Sequence, residues 1–450
     1  MAYIDDVPPV WNTWRLYESA KSTSADTRLL LLGDSKSSPE ATGCPLGHGI
    51  LRTWNVGRYS FVQARARYQG GAAWLSNGLQ PTSVSSGRTS RDPGATFTGG
   101  ESNFFPCNAV DYPFSGDASA GQPFSQCFVS DTANYASVAT PFSSVQMTAR
   151  QTYYRNPASS AVSVRMRSTR YAGSESAFSG TVTTVNTTTV TLNTGTPGPD
   201  YVDIDGGTGS SPPGVDVYEA GAGNVETGTN LYLGPPVFYR GTPGSRVTGF
   251  GLAHIATGGH KTTDLLAVLG GGGSPTCTTA NVRWYLQNAC FTPNFVLVDI
   301  GQNLNSGGET DELTAGTSAT FRTNYNAFLD QLNTVYDGIS GASRPFVVLV
   351  NPTRSGYTDT HVEAKGRCIF QIAQERGYGF LDMIQLMTYN ATGNGWWTRA
   401  GEDTHYTGPA VSNHTLTGNG AECVAAAMWC GMAGESRGRQ SASATRARVR

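Results

Sequence analysis

Charge is scarce in this sequence. Only 14% of its 450 residues are Asp, Glu, Lys or Arg, which excludes a coiled coil or a bundle of long solvated helices. The 31 basic and 33 acidic side chains leave a net charge of −2, so no global field draws the chain to nucleic acid or to an acidic membrane. Long apolar runs are missing too. No stretch of about 18 apolar residues occurs, and membrane insertion is not expected. The segment from Met1 to Arg28 has no basic region followed by an apolar one, so no signal peptide is visible. The compartment stays open; an extracellular or envelope place is compatible with a removed leader or another export route. None of the eight cysteines forms a CxxC pair, which argues against a zinc or thioredoxin-like site. Cys107 with Cys127, and Cys277 with Cys290, are close enough in sequence to be disulfides, and buried free thiols are the equal alternative. There is no fixed-period repeat.

What the chain has instead is glycine, serine and threonine in the texture of a β-rich, turn-rich protein long enough for two or three domains. Residues 29–32 are an apolar run ending in Gly33-Asp34-Ser35, the pattern of a buried parallel strand entering a turn. A short helix fits residues 49–54. From about residue 59 the pattern changes to period-two alternation, with Val62 against Gln63 and Val164 and Met166 against Arg165 and Arg167. Thr- and Val-rich runs follow between Gly, Pro and Asn clusters. That reads as short antiparallel strands with one solvated face, a sandwich or jelly roll.

Helical periodicity returns after residue 248. Phe321, Tyr325, Phe328, Leu329, Leu332 and Tyr336 share one helix face. Apolar strands at 295–300, 346–350 and 380–383 alternate with helices at 262–269, 280–290, 362–376 and 420–432, hence α/β with a parallel sheet. The expected division is an arm at 1–28, the first part of an α/β domain at 29–58, an inserted β-rich domain at 59–248 and the rest of the α/β domain at 249–433. Residues 434–450, with five arginines among Ser, Ala and Gly, read as a disordered basic tail.

A nucleophilic serine needs a base, a group that orients the base, and donors for the oxyanion. In open α/β sheets these gather at the carboxyl ends of strands, where Gly33-Asp34-Ser35 and Gly301-Gln302-Asn303 both fall. Ahead of the second, Gly258-Gly259-His260 leads into a helix. In this order the three segments resemble three of the four sequence blocks of the SGNH, or GDSL-type, serine hydrolases, over about half the chain. The resemblance implies a three-layer flavodoxin-like α/β fold interrupted by a β-sandwich. It also implies Ser35 as nucleophile, and an oxyanion hole from the Ser35 and Gly259 N–H groups and the Asn303 side chain. Without that company, Asn303 would read as a strand-end turn former.

The fourth block departs from the family pattern, which has an aspartate three residues before the catalytic histidine. Of six histidines, His405 and His414 lie between the last strand and the last helix. His405 follows Glu402, at the family spacing but the wrong acid, and Asp403, the right acid one residue closer. His414 lies nearer the last helix but has no such acid. The orienting acid holds the imidazole tautomer, so His405 with Asp403 is the favoured pair, with Glu402 and His414 as alternatives. His260 reads as a solvent-facing variation beside Gly259, or as a substrate contact.

The expectation is therefore a serine esterase that needs no metal or organic cofactor. Its substrate is expected to be a small ester or an acetylated glycan, because in relatives of this kind a β-sandwich often accompanies polysaccharide deacetylation. Aromatic side chains of the insert, such as Trp74 and Tyr153, could stack on sugars, though core packing accounts for them as well. An acyltransferase on the same scaffold, or a non-catalytic surface protein keeping the fold, are the alternatives. Nucleic-acid and membrane partners are not expected, and the oligomeric state stays open.

Overall fold

The computed structural model describes residues 7–34, 36–37, 46–63, 79–82, 106, 110–113, 123–129, 144–157, 161–172, 181–209, 213–219, 230–256, 259–272, 277–351, 359–386 and 420–448. Five parallel strands form the centre of the α/β part: Arg28–Gly33, Phe250–Ala256, Phe295–Asp299, Phe346–Asn351 and Gly379–Asp382. Counted in chain order they lie 2-1-3-4-5 across the sheet, the flavodoxin-like order, which places a crevice at the carboxyl ends of the first and third strands.

Strand alternation builds the layers. Leu29 to Leu32 are all fully buried, each contributing about 1.5–3 kcal/mol relative to exposure. Leu30 and Leu32 point into a core shared with the helices Thr262–Val268, Thr279–Asn288, Ala319–Asp337 and Asp359–Arg376. Leu29 and Leu31 point the other way, onto Trp14–Lys21, Leu46–Thr53 and Gly420–Arg448. A strand covered on both faces has no place for a polar alternate, which is why this run is apolar throughout. The six residues expected on one face of the 319–337 helix are all buried.

The β-rich segment forms two sheets facing each other. One is antiparallel, in the order Leu79–Thr82, Pro123–Val129, Pro213–Glu219, Val162–Ala172, Thr181–Leu192. The other continues the central sheet itself. Tyr59–Gln63 pairs in parallel with Phe250–Ala256, Val237–Thr242 pairs antiparallel with Tyr59–Gln63, and Met147–Arg155 pairs antiparallel with Val237–Thr242. Val62 and Phe238 face the sandwich core with Val164, Met166, Val215 and Val217. Their neighbours Phe61, Val237 and Tyr239 face the helices. Tyr59–Gln63 thus differs from the half-solvated antiparallel strand expected from its alternation. It is parallel, and Phe61 and Val62 are both fully buried, because each face has its own core. The Gln63 side chain extends this pairing past its strand: its Oε1 accepts from His254 N at 3.0 Å and its Nε2 donates to His254 O at 3.2 Å.

Arg150 fastens the extension to the helical layer. Its guanidinium donates to both Asp203 carboxylate oxygens at 2.7 and 2.8 Å and to the carbonyl of Asn288, at the end of its helix, at 2.5 Å. It also lies 3.8 Å from the centre of the Tyr201 ring. Asp203 holds the Arg150 pKa above its ordinary value against the opposing effect of burial.

Of the two alternatives open for Cys277 and Cys290, the structure has buried thiols with no disulfide between them, while Cys107 lies outside the described residues. The C-terminus differs from the sequence reading. The last helix runs Gly420–Arg448, through the stretch expected to be a disordered tail. Its early part is tied down, with Glu435 accepting from Asn12 N and Thr13 N at 2.7 and 2.8 Å and Ser436 bonded to Glu18. Ala and Arg favour helix once the first turns are anchored. Among the described residues no helix is long and apolar enough to cross a membrane.

Candidate active site

The site is built at the crevice between the first and third strands. Gly33 ends the first strand where a side chain could not fit: a Cβ there would lie 2.7 Å from the Ser37 Cβ and 2.9 Å from the Asp299 carbonyl oxygen. The turn that follows bends back on Asp34, whose Oδ1 accepts from Lys36 N and whose carbonyl accepts from Ser37 N, both at 3.1 Å. This is the bond pattern by which aspartate fixes a turn. Asp299, at the end of the third strand, clamps the same turn. It accepts from Lys36 Nζ at 2.8 Å and from Ser37 Oγ at 3.1 Å. Both members of the Lys36–Asp299 ion pair are buried, at 0% and 1% side-chain exposure. Ser35, between Asp34 and Lys36, lies outside the described residues.

The second and third segments meet each other directly. Asn303 Nδ2 donates to the His260 carbonyl oxygen at 3.2 Å. That contact assigns the carboxamide, since Oδ1 could not face a carbonyl, and it leaves the second Nδ2 hydrogen for another acceptor. Gly259 is exposed with φ of +81°, a conformation that favours glycine. Gly301 has φ of +110°, and a Cβ there would lie 3.3 Å from the Phe321 ring and 3.7 Å from Lys365 Cδ. The loop after Asn303 is braced by buried Glu309. Its Oε1 accepts from Asn305 Nδ2 at 2.8 Å and Asn324 Nδ2 at 2.5 Å, and its Oε2 accepts from Asn305 N at 2.8 Å. Thr263 Oγ1 donates to Asn305 Oδ1 at 2.9 Å and ties the loop to the helix that follows Gly259.

His260 is buried, contrary to the solvent-facing place expected for it, and its carbonyl oxygen is the one that accepts from Asn303. Burial pushes its pKa down to about 4, opposed by the Asp264 charge, so the ring is neutral at pH 7. Its Nδ1 has no hydrogen-bond partner among the described residues. Two other histidines are accounted for elsewhere: His254 in its strand, and His361 with Nε2 2.6 Å from Thr314 Oγ1. Asp403, His405, Glu402 and His414 lie outside the described residues. Of the five residues singled out for the site, the structure therefore places Gly259 and Asn303, on adjoining loops.

Sequence reasoning missed the buried charges beneath these loops. Lys365 is 2% exposed. Burial and the nearby Lys36 ammonium push its pKa down to about 7, opposed by the carboxylates of Asp34 and Glu309. A signal existed for it: Lys365 sits in the apolar stripe of its helix with Val362, Cys368, Ile369 and Ile372, where a cation is out of pattern.

Neither a family model nor a curated protein matches the chain. Among solved structures, a CBM22-2 xylan-binding domain from Paenibacillus barcinonensis is 9% identical, with 30% of this chain and 80% of that chain covered and a TM-score of 0.20. A xylan-binding domain of the same CBM 22 class is 13% identical over 40% of this chain and 86% of that one, with a TM-score of 0.19. An acetyl xylan esterase from the rumen bacterium Butyrivibrio proteoclasticus is 9% identical over 68% of this chain and 89% of that one, also with a TM-score of 0.19. These are distant likenesses, and scores of this size carry no argument about fold or function.

Proposed function

We propose that the chain is a serine ester hydrolase of the SGNH kind. Ser35 Oγ attacks an ester carbonyl and gives its proton to His405, which Asp403 or Glu402 orients. The oxyanion is received by the N–H groups of Ser35 and Gly259 and by the free Nδ2 hydrogen of Asn303. The alcohol leaves with the proton from the imidazolium, and water then releases the acyl group. One observation carries this reading. At the switch point of a 2-1-3-4-5 sheet, Asp299 holds Lys36 and Ser37 beyond the first strand, and Asn303, four residues after Asp299 in the chain, bonds the His260 carbonyl.

The test is hydrolysis of a short-chain nitrophenyl ester. Ser35→Ala is expected to abolish it, and an unchanged rate refutes the reading. Asn303→Ala is expected to lower kcat about 10²–10³-fold, the cost of one oxyanion donor. His405→Ala is expected to lower kcat by orders of magnitude and to add almost nothing on top of Ser35→Ala, since triad members act as a unit. A large loss from His414→Ala instead would move the base to that residue.

For the substrate, the reading is an O-acetylated carbohydrate. It is supported by the β-sandwich joined to the α/β part, an arrangement that accompanies polysaccharide deacetylation in proteins resembling this one. A panel of acetylated glycans and lipid esters decides it. Acetate release from a glycan is the expected result, and preference for long acyl chains overturns it.

A further inference from the structure

We propose that the cavity at the amino ends of the parallel strands is a binding site for a small polyhydroxylated oxyanion, a sugar acid or a sugar phosphate, whose anionic group sits on Arg28. The inference uses neither the nucleophile turn nor the oxyanion donors, and it stands apart from the hydrolase reading.

The cavity has a volume of about 380 Å³, and Arg28, Thr292, Asn294, Ser340, Ser343 and Arg344 are among the residues that line it. Arg28 opens the first strand, Asn294 immediately precedes the third, and Arg344 lies just ahead of the fourth. Asp34 and Asp299 stand at the other end of the sheet. The strand Arg28–Gly33 spans six residues, which separates the two ends by roughly 17 Å.

An arginine that serves the fold has its fork filled. Arg246 is the local example, with Nη1 and Nη2 donating to the two oxygens of Asp26 at 2.9 and 2.7 Å. Gly249 N adds a further donor to that carboxylate at 3.3 Å. Asp26 is therefore taken, and Arg28 approaches it only to 3.6 Å, beyond hydrogen-bond range. The Arg28 side chain, 27% exposed, makes no hydrogen bond among the described residues, and its Nε is buried without a partner. Arg344, on the exposed rim, has Nε and Nη2 engaged by Asp337. Among the described residues, Arg28 is thus the cation lining the cavity whose fork is open. Burial lowers its pKa, Asp26 opposes that and Arg246 adds to it, yet a guanidinium stays charged throughout the working range. A turn of its terminal torsions presents the Nε–Nη2 edge to an oxyanion in the cavity, the bidentate pairing that suits carboxylate and phosphate.

The rest of the cavity selects the body that carries the anion. Its volume is near the lower end of the roughly 300–1,000 Å³ of small-molecule sites, room for a sugar rather than an oligosaccharide. Thr292, Ser340 and Ser343 supply hydroxyls that no other described group uses, which match a polyol and not a hydrocarbon. The walls are set in advance. Asn294 Oδ1 accepts from Arg28 N at 2.8 Å, and its Nδ2 donates to the Asp26 carbonyl at 2.7 Å. Thr292 has φ of +51° next to Phe291 at +54°. That conformation is rare for a β-branched residue and persists only where the surroundings fix it. A preformed wall leaves little ordering to be done on binding.

The experiment is isothermal titration calorimetry of the full chain with glucuronate, glucose 6-phosphate, glucose and inorganic phosphate. It is run at about 0.15 M salt, where the screening length is about 8 Å. Saturable binding of glucuronate or glucose 6-phosphate is expected, at least about 10-fold tighter than glucose or phosphate alone; the two charged sugars tell a carboxylate from a phosphate. Arg28→Met is expected to weaken it about 10–100-fold. Arg28→Lys is expected not to restore it, because an ammonium lacks the planar fork. Absence of binding by both charged sugars, or unchanged affinity in Arg28→Met, overturns the inference. Equal affinity for inorganic phosphate overturns the sugar assignment, and equal affinity for glucose overturns the anionic one. Asp26 keeps Arg246 in Arg28→Met, so that variant is expected to fold. If circular dichroism shows otherwise, wild-type affinity in Arg28→Lys overturns the inference and a loss there supports it. Ester turnover is no part of the readout, so failure here leaves the hydrolase reading standing.

Discussion

Replacing Asp299 by Asn is the sharpest single perturbation of the strand-end cluster. The side chain keeps its size and can still accept from Ser37, but the carboxylate opposite Lys36 is gone. At the 2.8 Å separation of this pair and an effective dielectric of about 20, the attraction removed is about 6 kcal/mol. Lys36 has no route to solvent for its ammonium, since its side chain is fully buried. Part of the loss is recovered when the lysine shifts or gives up its proton. The measured cost of breaking a buried pair from one side is about 3–5 kcal/mol, and Asp299→Asn should fall in that range. Lys36→Met alone should cost a similar amount by stranding the carboxylate. The double variant removes both charges and should lose less than the two singles together, by about 2 kcal/mol or more. Urea unfolding monitored by circular dichroism gives all three values against wild type. Single losses that simply add would refute the reasoning, because they would show that Lys36 and Asp299 contribute separately rather than as a pair.

Three other outcomes are expected. His260 has a folded pKa of about 4 against an ordinary 6.5, so the unfolded chain binds the proton first. Its contribution is fully present above pH 6.5 and is lost as pH falls toward 4, by about 3 kcal/mol in all; His260→Gln should flatten that part of the stability profile. Gly301→Ala should cost about 1–3 kcal/mol, since the conformation is strained and the methyl meets Phe321. Gly259→Ala meets open space and should cost only the backbone preference of about 1–2 kcal/mol; equal losses in urea unfolding would contradict this. Arg150→Met should cost up to about 3–5 kcal/mol by leaving the half-buried Asp203 carboxylate with only the Tyr239 and Gly244 donors and no cation. Arg150→Lys should not restore it, because an ammonium cannot reproduce the fork that meets Asp203 and Asn288. Full rescue by lysine would show that charge alone matters there.

The sequence made the local patterns legible and left the distant pairings hidden. The Leu29–Leu32 run could only be a strand covered on both faces, and the stripe from Phe321 to Tyr336 could only be a helix with one buried side. Both were set by side chains within a few turns of each other. The continuation of the sheet through Tyr59–Gln63 was not legible, because a parallel partner nearly 200 residues away leaves no mark on five residues. The same holds for the charge cluster. Lys36 meets Asp299 across 263 positions, and nothing near either residue announces the other. Gly259 and Asn303 were singled out because their segments, in order, resemble blocks of a known family. Their meeting through the His260 carbonyl depends on a side-chain orientation that no spacing encodes.

The place of Arg28–Gly33 in the sheet has a consequence for how the chain is made. This strand is central, flanked by Phe250–Ala256 and Phe295–Asp299, yet it is synthesised long before either neighbour. At about 5–20 residues per second, the ribosome needs on the order of ten seconds or more to deliver the first of them. During that time four leucines destined for the middle of the molecule have no sheet to join. The β-rich segment emerges in the interval and can pair within itself. The α/β half, whose pairings are among the most distant in sequence, has to close last and slowly. Early in synthesis, the leucine strand is the part of the nascent chain that most needs a chaperone.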